Sequence, residues 1–237
     1  MINQDGKAGI AERLPRGKPM PASPPKAILI GAGGHAKVVI DLFRHAGRYE
    51  LVGLIDSGTR GTLVNGVPII GGDDELARLR AEGIAHAHVA IGNNRRRLEL
   101  ARELQGLGFA LASAISPAAV ISASVVLGSG VAVMAGAVIN ADSRLEDDAI
   151  LNTRSSLDHD GHIGEGAHVA PGCALAGNVR VGRLAFLGVG TCAIPGTEIG
   201  EEAVIGAGSC VIRPVPAGAK AYGVPARVVV PTIQGKA

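Results

Sequence analysis

An α/β unit followed by a parallel β-helix is the fold class the sequence predicts, and three observations carry it. Residues 27–115 alternate short apolar runs with helical stretches around one glycine-rich turn. From Ile121 to Val211 an aliphatic residue or Ala recurs at every sixth position. Aromatic residues are nearly missing, with no Trp, two Tyr and three Phe, while Gly reaches 35 of 237 residues. That composition suits a narrow, turn-rich core rather than layers filled by rings.

The first 26 residues are rich in Pro, Gly and charge and lack the apolar centre of a signal peptide, so they read as a disordered leader. From Ala27 the pattern changes. AILIG (27–31), ELVGLID (50–56), HAHVAIG (86–92) and ALASAI (110–115) read as strands, and 37–47, 74–83 and 95–108 as helices. Strands alternating with helices at these intervals predict a parallel sheet with crossover helices, a small Rossmann-like unit over 27–115.

The first turn, Gly31-Ala32-Gly33-Gly34-His35-Ala36, fits the loose G-x-G-x-x-A form between a strand and a helix. Glycines there let the backbone approach a phosphate at a helix N-terminus. Asp56 closes the second strand, where an acidic residue can bind a ribose hydroxyl. The unit is too short for the second mononucleotide half that NAD spans, which favours one nucleotide or a nucleotide-sugar. A tight turn without a ligand stays open as the alternative.

The period-six segment, 116–217, reads as a β-helix because the aliphatic residue and a small residue two places before it both point inward. The residue between them points outward, and the other three turn a corner. Three hexapeptides close a triangular coil of about eighteen residues, and stacked coils bury a continuous aliphatic column. Residues 218–237, with the GVPAR segment, are expected as a C-terminal tail. Small inward positions also explain the scarcity of rings.

This register disperses the histidines of SSLDHDGHIGEGAHVAPG (155–172). His159 and Asp160 fall on a corner, while His162 and His168 sit between inward residues and face out of the prism. His159 and His168 lie half a perimeter apart, too far to ligate one metal within a subunit, so no metal site is expected. The stacking neighbours of His159, Ala141 and Gly177, are small. An exposed imidazole beside a small-residue trough suits acyl transfer: neutral His takes the proton of an attacking amine or hydroxyl, and Asp160 orients the ring and raises its basicity. The thioester oxyanion needs a donor, for which the Gly177 N–H or His168 of an appropriate subunit are candidates.

The motifs ILIGAGGHAKVVID, VAIGNN, VMAGAVINADS, ILNTRSSLDHD, AHVAPGCALAGNV, FLGVGTCAIPG and GVPAR together resemble the NeuD-type sugar acyltransferase family. That family includes sialic acid O-acetyltransferases and the N-acetyltransferases of bacillosamine and perosamine biosynthesis. The resemblance covers about six-sevenths of the chain, in order. It implies a left-handed β-helix, a homotrimer, and acetyl-CoA as cosubstrate. It implies His159 as general base with Asp160 as its acidic partner, His168, Gly177, Val189 and Ala207 as acetyl-CoA contacts, and Gly33, Gly34, His35, Asp56, Ser57 and Gly92 as nucleotide-sugar contacts. Gly33 stands where bacillosamine-type enzymes have Ser, which removes one side-chain contact. The implied reaction is acetylation of the 4-amino group of a nucleotide-linked 4-amino-4,6-dideoxy sugar for surface polysaccharide or glycan synthesis. The alternatives are sialic acid-type O-acetylation and a non-enzymatic, nucleotide-binding trimer.

The formal charge is +2 with no block of Lys or Arg, so neither nucleic acid nor an anionic membrane is an expected partner. Cys173, Cys192 and Cys210, without metal-type spacing, fit reduced thiols in a cytoplasmic protein.

Overall fold

The computed structural model describes residues 23–229. The leader expected at 1–26 therefore lies outside the described residues up to residue 22, as do residues 230–237 of the expected tail.

The N-terminal sheet contains β1 (Lys26–Ile30), β2 (Glu50–Ile55), β3 (Leu63–Val64), β4 (Val67–Gly71), β5 (His86–Val89) and β6 (Ala110–Leu111), in the order β3-β4-β2-β1-β5-β6. All neighbours pair in parallel except β3 and β4. Helices α1 (Gly34–Ala46), α2 (Leu76–Ala81) and α3 (Asn94–Gly106) connect them. The β3–β4 hairpin is absent from the sequence expectation, although its signal is present. Asn65-Gly66 has positive φ at both residues, 45° and 74°, the turn whose twist matches a two-residue hairpin.

Residues 110–115, expected as one strand, form two. Ala110–Leu111 pairs with β5, whereas Ala114–Ile115 pairs with Ala132–Val133 in the next sheet. The chain passes from one sheet to the other through Ala112 and Ser113, so no linker separates the two units.

From Ala114 the chain forms a left-handed parallel β-helix of two-residue strands in three sheets. Partners are eighteen residues apart, as in Ile150↔His168 and Ser156↔Ala174, until the last coil, where Val204↔Lys220 spans sixteen. The first face holds Ala114–Ile115, Ala132–Val133, Ile150–Leu151, His168–Val169, Phe186–Leu187, Val204–Ile205 and Lys220–Tyr222. The second runs from Val120–Ile121 to Cys210–Val211, and the third from Val126–Leu127 to Glu198–Ile199. Lys220–Tyr222 continues the first face in parallel, and Arg227–Val229 folds back antiparallel onto it. The described part of the C-terminal segment is thus integrated into the coil stack.

The inward aliphatic column is sealed, with Ile139, Leu145, Leu151, Leu157 and Ile163 all fully buried; each such side chain contributes about 1.5–3 kcal/mol. Inward hydroxyls two places earlier are satisfied locally, as in Ser155 Oγ to Asn152 O and Thr191 Oγ1 to Gly188 O. Every sixth residue from Gly130 to Gly208 has positive φ. Gly, Asp and Asn occupy most of these positions, being the residues that tolerate the left-handed region best.

The N-terminal unit docks on the first face. Ala36, Val39 and Ile40 of α1 share one apolar cluster with Ala114, Ala132 and Ile150. At the other end Asn94 Nδ2 donates to Leu184 O and Ala185 O, both at 3.0 Å, and Arg95 pairs with Glu202 at 2.6 Å.

Candidate active site

Asp160 is one of the positive-φ corner residues, at φ 56°. That backbone turns its carboxylate toward the preceding side chain, and His159 Nδ1 lies 2.8 Å from Asp160 Oδ2. The bond fixes the proton on Nδ1 and leaves Nε2 free to accept. Below, Asp158 Oδ1 accepts from His159 N at 2.9 Å and from Asn140 Nδ2 at 2.8 Å, and His159 O accepts from Asn178 N at 2.8 Å. The backbone is therefore held while the ring stays accessible. The hydrogen bond to Asp160, with the nearby charge of Asp158, raises the imidazole above its usual pKa.

Gly177 stacks on His159 one coil later, as the register predicts. A Cβ at Gly177 would lie 2.5 Å from His159 Nε2, so the ring occupies space that only Gly leaves open. Beside this corner a groove of about 570 Å³ is lined by Asp160, Asn178, Arg144, Arg180, Glu146 and His162. His162 Nε2 sits 2.9 Å from Glu146 Oε1 on the third face. This second imidazole–carboxylate pair is partly exposed and was not expected, because its carboxylate comes from the preceding coil.

Val189 and Ala207 lie on a different corner, between the first and second faces, with Gly208 N donating to Val189 O at 2.8 Å. Val189 is 56% exposed.

His168 departs from expectation. It does leave the prism, but the first face is covered by the N-terminal unit, and the residue is only 8% exposed. Its Nε2 meets Asn152 Nδ2 at 3.0 Å, and its ring stands 5.4 Å from Phe186 and 6.4 Å from His35. Burial, with the charge of Arg97 and the nearby His35, lowers its pKa to about 3. His35 is lowered to about 4 by burial and Arg97. Both are neutral imidazoles at the domain seam, and His35 Nε2 and His168 Nδ1 are buried with no partner among the described residues.

Around this seam the other nucleotide-sugar candidates gather. Gly31 carries φ 105°, and a Cβ there would touch Ile91 Cγ1 at 3.0 Å and Ala90 O at 3.2 Å, so the turn requires glycine. Gly33 and Gly34 instead leave open space at the start of α1, where free backbone N–H groups favour anions. Asp56 accepts from Ala32 N and Gly58 N, both at 2.9 Å, which ties the first turn to exposed Ser57. Gly92 borders a cleft of about 400 Å³ with Asn93, Arg95 and Phe186.

The site residues thus form three centres on one subunit: His159–Asp160–Gly177 on one corner, Val189–Ala207 on another, and His35–Gly92–His168 beneath the glycine turn. Sequence reasoning missed Asn152 and Arg97 at the seam. Arg97 lies outside every quoted motif, and Asn152, although within ILNTRSSLDHD, carries no signal that it would meet His168 across the coil.

Comparison with known proteins gives the family of the chain. The family profile described as PglD N-terminal domain matches residues 26–104. No curated protein gives a significant match. Among solved structures, PerB from Caulobacter crescentus in complex with CoA and GDP-perosamine is 47% identical, with a TM-score of 0.83 over 86% of this chain and 97% of that one. The chain belongs to the NeuD-type sugar acyltransferases. A histidine-to-alanine mutant of the Caulobacter GDP-perosamine N-acetyltransferase, again with CoA and GDP-perosamine, is 48% identical, with a TM-score of 0.84 over 86% of this chain and 97% of that one. The acetyltransferase domain of PglB from Neisseria gonorrhoeae, in complex with acetyl coenzyme A, is 38% identical, with a TM-score of 0.83 over 87% of this chain and all of that domain. For a sugar acyltransferase the accessible, carboxylate-oriented imidazole and the glycine turn are the expected chemical parts.

Proposed function

We propose that the protein transfers the acetyl group of acetyl-CoA to the 4-amino group of a nucleotide-linked 4-amino-4,6-dideoxy sugar of the perosamine or bacillosamine type. The observation that carries this reading is the His159–Asp160 pair, with Nε2 free beside Gly177, on a scaffold 47% identical to a protein solved with CoA and GDP-perosamine. The sugar nitrogen attacks the thioester carbonyl as its proton passes to His159 Nε2. The C–S bond then breaks, and the imidazolium returns that proton to the departing CoA sulfur. Among the described residues the Gly177 N–H is tied to no backbone acceptor, and it is the candidate donor to the developing oxyanion.

The roles are those the family resemblance implies, and they cut across the three centres. His159 is the base and Asp160 its orienting partner. Gly177, His168, Val189 and Ala207 contact acetyl-CoA, while Gly33, Gly34, His35, Asp56, Ser57 and Gly92 hold the nucleotide-sugar. On one subunit these groups lie on separate corners, so the site is completed by a neighbour in a homotrimer. The outward residues of the second face support this: Val120, Val138, Ser156, Ala174, Cys192 and Cys210 carry no charge, and an uncharged strip of small residues suits close contact between copies. Free thiols at Cys173, Cys192 and Cys210 and an intracellular cosubstrate fit a cytoplasmic enzyme of surface polysaccharide or glycan synthesis. Among the described residues no helix is long and apolar enough to cross a membrane.

The test is a panel of nucleotide-linked amino sugars and free sialic acid incubated with acetyl-CoA and read by mass spectrometry. An acetyl increment on a 4-amino sugar is the expected product. An increment only on sialic acid hydroxyls, or none on any acceptor, would remove the reading.

Two substitutions probe the corner. Asp160→Asn removes the main effect that raises His159, so the imidazole pKa falls and the acidic limb of the kcat/KM profile moves to lower pH, with kcat lower by about tenfold. A profile whose acidic limb stays in place would separate that limb from His159. Gly177→Ala needs no unusual backbone angle but drives Nε2 from its place. Because misplacement of about 1 Å can cost about 100-fold, kcat should fall steeply while thermal stability changes little. Wild-type kcat in this variant would mean that the ring relocates without loss.

A further inference from the structure

The seam between the two units contains a buried cation that the reaction does not use. Arg97, on α3, is 1% exposed. Nε donates to Asp148 O at 3.0 Å; Nη1 to Ile91 O at 3.1 Å and Gly92 O at 3.4 Å; Nη2 to Gly166 O at 2.7 Å and Asn94 Oδ1 at 3.1 Å. All five N–H groups of the guanidinium are therefore engaged. Asp148 and Gly166 are corner residues eighteen apart, both in the positive-φ conformation, and Gly166 lies two residues before His168. Ile91 and Gly92 form the turn after β5. The side chain joins the nucleotide-sugar turn to the coil that bears His168.

We propose that Arg97 is the positioning residue of the acceptor site: its planar fork sets the Gly92 turn against the His168 coil and so fixes the facing of His35 and His168. This rests on the functional reading above for its kinetic consequence, though not for its structural one. A carbonyl left without a donor in this seam bears an uncompensated desolvation cost, so the turn and the corner move together when the fork is lost. Lysine retains the charge but offers three donors from a single point, and cannot reach two coils and a turn at once.

The experiment compares Arg97→Lys and Asn94→Ala with the wild type. The second variant removes the Oδ1 that Arg97 contacts and keeps the guanidinium, and it serves if the first does not fold. Arg97→Lys is expected to raise KM for the nucleotide-sugar at least tenfold, with the acidic limb due to His159 unmoved because that residue stands on another corner. Asn94→Ala should raise it several-fold. Hydrogen exchange gives an activity-independent readout: amides of the Gly92–Asn93 turn and of 166–168 should exchange faster together, while the coil carrying Cys210 keeps its protection. An inactive wild type defeats the functional reading alone, because the exchange pattern still decides this one. Wild-type acceptor KM in folded Arg97→Lys, or exchange that rises uniformly or nowhere in both variants, overturns the positioning role.

Discussion

His159→Ala is expected to lower kcat by about 10²- to 10⁴-fold, the usual contribution of a general base, with KM for acetyl-CoA changed only a few-fold. In the proposed reaction the imidazole accepts the proton at its corner: Nδ1 is committed to Asp160 at 2.8 Å, Nε2 is free, and the side chain is 61% exposed. Because it supports no packing, its removal should leave the melting temperature and oligomeric state as in the wild type. Steady-state rates with saturating acetyl-CoA, alongside light scattering, check this. Activity retained within about threefold would mean that another group takes the proton, and His162, already paired with Glu146 at 2.9 Å, would be the residue to examine next.

The second large effect concerns stability in mild acid. His35 and His88 are lowered to about 4 and His168 to about 3, in each case chiefly by burial. All three stay neutral in the folded protein while the unfolded chain protonates them near pH 6.5. Their contribution is complete above that pH and is lost progressively as pH falls toward the folded values, by about 1.4 kcal/mol per pH unit for each imidazole. Asp148 runs the other way. Burial raises it to about 7, so between its unfolded value near 3.8 and pH 7 the folded state binds the extra proton and gains stability as pH falls. Three protons taken up by the unfolded chain against one by the folded chain leave a net slope of about 3 kcal/mol per pH unit between 6.5 and 4. Against a typical stability of about 5–15 kcal/mol, unfolding should set in within a few units below neutrality. Denaturant midpoints measured from pH 8 to pH 4.5 test it. A midpoint constant across that range would mean that the seam admits protons while folded.

These two effects arise at different places because the fold separates the chemistry. His159 stands on a corner open to solvent, and the seam histidines lie under the N-terminal unit. Both kinds of imidazole occur in one short stretch of sequence, with His159 and His168 nine residues apart. The difference in environment comes from the triangular coil, which sends His159 to a corner and His168 to the first face. The N-terminal unit lies on that face.

Features written in local periodicity were legible along the chain. The six-residue repeat specifies strands, corners, inward residues and the stacking of His159 on Gly177, because each follows from counting along a coil whose register admits no slip without exposing the aliphatic column. The glycine turn and the order of strands and helices specify the α/β unit in the same way. Asn65-Gly66 likewise announces the β3–β4 hairpin. The tertiary structure alone decided which face the α/β unit covers. That choice buried His168, brought it within 6.4 Å of His35, and gave Arg97 acceptors 51 and 69 residues away at Asp148 and Gly166. None of these contacts has a period or a motif. They depend on where two separately coded surfaces meet, and side-chain spacing along one chain holds no record of that distance.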